Sequence, residues 1–121
     1  MLDYNADARE YLTFINNRAQ SNGAYPDENY AREIMQLFSV GIETLNPDGT
    51  FVRDGETGNP VAPYDNYDIA AFARVWTGWS NRPMRGNIQT VTEHLGTNYV
   101  DPMMLHSSLR DRFPKTTLDG T

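Results

Sequence analysis

Apolar residues recur at helical spacing in three stretches of the chain, and turn chemistry separates them. Over residues 8–20, Tyr11, Leu12, Ile15 and Ala19 follow the three- and four-residue steps of an amphipathic helix. Asp7 and Glu10 fit a capping box at its start, and Ser21-Asn22-Gly23 offers a stop with Gly23 as the C′ residue. The clearest pattern runs over 28–40. There Tyr30, Ile34, Leu37 and Phe38 share one face, Asp27 after Pro26 is a good N-cap, and Gly41 ends the run. Arg32, Glu33 and Gln36 fall on its other faces. A third helix is predicted over 66–78, with Ile69, Phe72, Ala73 and Trp76 on one face and Val75 and Trp79 extending it. Asp65 and Asp68 cap its start, and Gly78 terminates it.

Residues 42–63 hold Asn46-Pro47-Asp48-Gly49 and the run Asp54 to Pro60, both of them turn sequences. Phe51-Val52 and Val61-Ala62 are placed to pair as a short hairpin. Beyond Ser80 the periodicity fades, and Pro83, Gly86, Gly96, Pro102 and Pro114 punctuate an irregular tail. No repeat or low-complexity tract is present. The predicted fold class is mainly α, a helical segment with a short β-hairpin insert, in a chain of 121 residues that suits one domain.

Composition changes this picture in one respect. Leu, Ile, Val and Phe number 24, about 20% of the chain and the lower edge for a self-standing domain. Seven Tyr and two Trp add large buried area, so the expectation is a folded segment with a thin core of its own. The net charge of -6 opposes a nucleic-acid partner and an anionic membrane surface. No apolar run nears the ~20 residues that span a bilayer. The absence of cysteine excludes disulfides, thiolate nucleophiles and Cys-ligated zinc. No signal peptide is expected, because residues 1–15 are polar and acidic, and the compartment stays open.

The run Pro26-Asp27-Glu28-Asn29-Tyr30-Ala31-Arg32-Glu33-Ile34-Met35-Gln36-Leu37-Phe38-Ser39-Val40-Gly41 resembles the P-N-E-N-Y-A-R-E-L-x-E-L-F-T-L-G signature of the family called domain of unknown function 1800. Tyr11-Leu12 with Asn16-Asn17-Arg18-Ala19-Gln20 is similar to the segment that precedes it. Asn46 to Tyr64 is similar to the family's insert, and Ala73-Arg74-Val75-Trp76-Thr77-Gly78-Trp79 to its A-R-x-x-T-G-W element. In the tail, Asp111, Lys115 and Thr116 keep the register of H-D-x-x-x-K-T, but Arg110 stands where the family has His. His106 lies one helical turn earlier. The resemblance implies an internal portion of a longer, largely helical domain whose biochemical role is unassigned. It also implies, by analogy with other members, export and a protein partner.

Candidate chemistry leaves two readings at each position. Glu33 is a metal ligand or general base with Arg32 as an anion clamp, or the two belong to an ion-pair network with Arg74, Asn29 or a capped helix end. Glu28 and Asn29, in a first helical turn, suit the helix dipole. The Asn46–Thr50 run resembles the middle of a calcium loop, but Thr44 and Gly55 stand where the template needs acids, so a plain turn is favoured. Trp76, Thr77, Gly78 and Trp79 form a sugar-stacking platform, or the tryptophans are part of the core. His106, Arg110, Asp111 and Lys115 bind an anionic substrate and exchange protons, or are a solvated tail. His94 with Glu93 reads as surface. No zinc, nucleotide or serine-hydrolase motif is present.

Two functions follow. One is a non-catalytic helical scaffold or partner-binding portion. The other is a hydrolase-like or metal-assisted site in the full-length protein. In that second case Glu33 is base or ligand, a divalent metal is the implied cofactor, Arg32 and Arg74 orient the site, and Asp111 and Lys115 complete it. Binding candidates are Asn29, Arg32, Arg74, Trp79 and Lys115. The enzyme form requires Glu33 and Asp111 to meet at one cavity.

Overall fold

The computed structural model describes residues 12–20, 24–85, 98 and 101–120. Its regular elements are few. Helix α1 spans Asn29–Glu33 and continues as a π-helical segment, Ile34–Ser39. Helix α2 spans Asn66–Val75. Strands β1 (Trp79–Ser80) and β2 (Met104–Leu105) pair antiparallel, with Trp79 opposite Leu105 and Ser80 opposite Met104.

The expectation of a mainly α fold is therefore corrected. The helices are short, and most of the described residues are irregular. The largest departure is 12–20, where turns and extended backbone replace the predicted helix. Thr13 and Asn16 have φ of 57° and 58°, the left-handed region that breaks a right-handed helix. Their neighbours bond across the molecule instead of along the chain. The Asn16 amide donates to the Trp79 carbonyl (2.7 Å), and the Ala19 amide to that of Leu109 (2.8 Å). Phe14, which the helical stripe omits, is the residue this segment buries. The proposed cap at Asp7 and Glu10 and the stop at 21–23 lie outside the described residues, as do His94 and Glu93.

In the second stretch the capping acid is where the pattern puts it. An Asp27 carboxylate oxygen accepts from the Asn29 amide at 2.8 Å. One turn on, the Val40 amide donates to the Met35 carbonyl, a five-residue step that marks the π segment. The wider turn changes which residues face inward. Met35 is buried beside Tyr30 and Ala31, while Leu37 and Phe38 are 69% and 68% exposed. Helix α2 is capped by a full box, with Asp65 accepting from the Tyr67 and Asp68 amides and Asp68 accepting from the Asp65 amide. The insert makes no hairpin ladder. Two isolated bridges, Leu45 to Phe51 and Arg53 to Pro60, hold it, with the Val61 amide bonded to the Val52 carbonyl.

The core joins α1 to α2. Ala31 and Met35 pack on Ile69 and Ala73, with Tyr64, Phe72 and Trp76 around them. Phe14, Tyr30 and Met103 form an adjoining cluster, and Trp76 touches both. Its ring meets Tyr30 edge-on at 4.6 Å and Phe72 edge-on at 5.8 Å. Aromatic contacts thus supply what a low aliphatic content withholds.

Candidate functional site

Glycine and threonine after α2 bring the charged tail onto the helix. Gly78, at φ +89°, turns the chain from α2 into β1. A Cβ on it would stand 3.0 Å from the Arg110 Cβ and 3.1 Å from the His106 carbonyl oxygen, so the tail crosses here because the residue is glycine. Thr77, fully buried, donates its hydroxyl to the Arg74 carbonyl (2.8 Å) and accepts from the Asp111 amide (2.9 Å).

Asp111 is the centre of this crossing. It is 5% exposed. The Arg74 guanidinium grips its carboxylate at two points, 2.7 and 3.2 Å, and donates also to the Pro114 carbonyl at 2.9 Å. The Phe113 amide adds a bond of 2.9 Å. The Lys115 ammonium lies 3.3 Å from a carboxylate oxygen and donates to the Asp111 and Phe113 carbonyls, both at 2.7 Å. Hydrogen bonding from Arg74, chiefly, holds the Asp111 carboxyl down to about 2, against the opposing effect of burial. The same pairing raises the Arg74 guanidinium. A carboxylate so engaged is a weak general base at neutral pH.

Arg110, at the position where the resemblance expects histidine, uses its guanidinium as a helix cap. It donates to the Val75 and Thr77 carbonyls at the end of α2.

The other candidates are dispersed. Arg32 forms an i,i+4 ion pair with Glu28 at 2.8 Å, not with Arg74 or Glu33. Asn29 takes the Asp27 cap. Glu33 is half-buried, and its carboxylate has no hydrogen bond or ion pair to another described residue. Trp79 packs beside the Phe14 cluster and is not a free platform. His106 is exposed, and its amide bonds the Gly78 carbonyl at 2.7 Å. Asp48 and Asp54 turn their carboxylates onto Thr50 and Thr57, whose hydrogen bonds lower both carboxyls. Among the described residues, no three His, Asp or Glu side chains are grouped to hold a metal ion.

Besides a cleft of about 310 Å³ that Arg74 and Thr116 help to line, two more flank the crossing. An apolar one of about 350 Å³ lies between the π segment, α2 and the tail, lined by Met35, Val40, Phe72, Val75 and Leu118 among others. A polar one of about 460 Å³ lies beside the β1–β2 pair and includes His106. Neither is lined by Glu33 or Asp111.

The hydrogen-bonding roles of Asn17 and Thr77 were not legible in the sequence. Asn17 is 7% exposed, accepts from the Asp27 amide (2.9 Å) and donates to its carbonyl (3.1 Å), tying 12–20 to the start of α1. Both residues lie inside the segments that carry the family resemblance, and that was their only signal.

Asn17 and Thr77 both lie within the span that a family model covers. The family model described as Protein of unknown function (DUF1800) matches residues 5–121, and the chain belongs to that family. No curated protein and no solved structure is significantly similar to it. Among the described residues no helix is long and apolar enough to cross a membrane.

Proposed function

We propose that this chain is a non-catalytic scaffold and partner-binding portion of a DUF1800 protein. One observation carries the reading: Arg74, Asp111 and Lys115 spend their charges on one another and on nearby carbonyls. Groups used this way fix the geometry of the chain and have little capacity left for a substrate. The partner-binding half rests on Leu37, Phe38 and Ile42, each more than 60% exposed along one continuous stretch of chain.

A double-mutant cycle tests the scaffold. Arg74→Ala, Asp111→Asn and the pair are unfolded by urea. A coupling of about 1–3 kcal/mol in stability is expected for groups in contact. A coupling below about 0.5 kcal/mol, with both single variants folded, would overturn the reading.

A second reading, hydrolase-like or metal-assisted chemistry in the full-length protein, keeps one supporting observation. Glu33 is half-buried, and its carboxylate is unengaged among the described residues. Metal titration separates the two readings.

A further inference from the structure

The polar cleft beside β1 and β2 draws on none of the side chains that fasten the tail to α2. Asn16, Ser80, Asn81, Arg82 and His106 line it, with Pro83 and Met104 as its apolar members. Backbone bonds fix three separate segments around it. The Asn16 amide holds the Trp79 carbonyl, the His106 amide holds the Gly78 carbonyl, and Ser80 pairs with Met104. Because side chains alternate along a strand, the 80–104 pairing puts Ser80, Met104 and His106 on one face.

One feature selects a ligand class. The chain has a net charge of -6, yet among the described residues no carboxylate lines this cleft, and Arg82 and His106 do. Arg82 spends only its Nε–H, on the Pro102 carbonyl at 3.1 Å. Its terminal nitrogens have no acceptor among the described residues. Asp101, the acid next to Pro102, is paired with Arg85.

We propose that this cleft binds a small oxyanion, with Arg82 supplying paired guanidinium donors and the side chains of His106 and Asn16 further N–H donors. The site goes beyond the scaffold reading and shares no side chain with the Arg74–Asp111–Lys115 cluster.

The test is a titration of the chain with inorganic phosphate and, separately, with acetate, followed by proton–nitrogen correlation spectra that include the arginine Nε–H and imidazole signals. Saturating shifts confined to residues near 16, 80–82 and 104–106 are expected with at least one probe. Phosphate alone identifies a phosphate group, and acetate alone a carboxylate. Arg82→Gln then weakens binding about tenfold, the loss of one charge-assisted contact, while Arg53→Gln on the insert changes nothing. Shifts that fail to saturate with either probe, or that spread over all exposed cations, overturn the proposal. So does an Arg82→Gln variant that binds like Arg53→Gln. The mapping on the unsubstituted chain decides the matter even where a variant fails to fold.

Discussion

Replacing Asp111 by Asn removes one charge and keeps the shape of the side chain. In the folded chain its carboxyl is held at about 2, against an ordinary value of 3.8. A depressed carboxyl adds stability that is fully present above 3.8 and is lost as pH falls through 2. The shift of nearly two pH units, at about 1.36 kcal/mol for each, corresponds to about 2 kcal/mol at pH 7. The amide also presents an NH2 group to Arg74 and Lys115, which are themselves donors, so the expected loss is about 2–3 kcal/mol. That is a large part of the roughly 5–15 kcal/mol typical of a folded domain. Urea unfolding of both proteins, followed by the fluorescence of Trp76 and Trp79 at stepped pH, measures it. The stability gap should be full at pH 7, stay level down to about pH 4, and close as pH approaches 2. A gap under about 0.5 kcal/mol at pH 7, or one that is unchanged down to pH 2, would refute the reasoning.

Two further outcomes follow from the crossing of the tail over α2. Gly78→Ala should lower stability by about 1–3 kcal/mol in thermal melts, since φ is +89° and the new Cβ meets Arg110 at 3.0 Å. A change within about 0.5 kcal/mol would mean that the tail does not pass there. Asn17→Ala should cost about 2 kcal/mol and speed amide exchange at Asp27, because the buried side chain that binds both the Asp27 amide and carbonyl is gone. Unchanged exchange at Asp27 would contradict this.

The helical stretches with strong local devices were the legible part. The α2 capping box was written in Asp65 and Asp68, and the start of α1 in Asp27. The segment 12–20 was misread because its apolar spacing fits a helix equally well. What decides it is a set of long-range bonds, from Asn16 to Trp79 and from Ala19 to Leu109, that no local pattern carries. Leu37 and Phe38 were put on one face with Tyr30 and Ile34 for a related reason: the shift to a π turn rotates them outward, and periodicity assumes a constant turn. Of the candidate site, the enzyme reading of the sequence put Arg74, Asp111 and Lys115 together, but around Glu33 and not in a meeting of the three with one another. That meeting depends on Thr77 and Gly78, a hydroxyl and a bare backbone whose roles appear only when the tail folds back.

The central claim is that the charged residues of these segments hold the chain together and do not assemble a metal-assisted site. A far-UV circular dichroism melt tests it most directly, run with magnesium, calcium, manganese or zinc and again with chelator. A ligand that binds only the folded state raises its apparent stability. The account predicts one cooperative melt at the same temperature under every condition, unchanged in Glu33→Gln. A melting temperature that rises with one metal, falls with chelator, and loses that response in Glu33→Gln would contradict it.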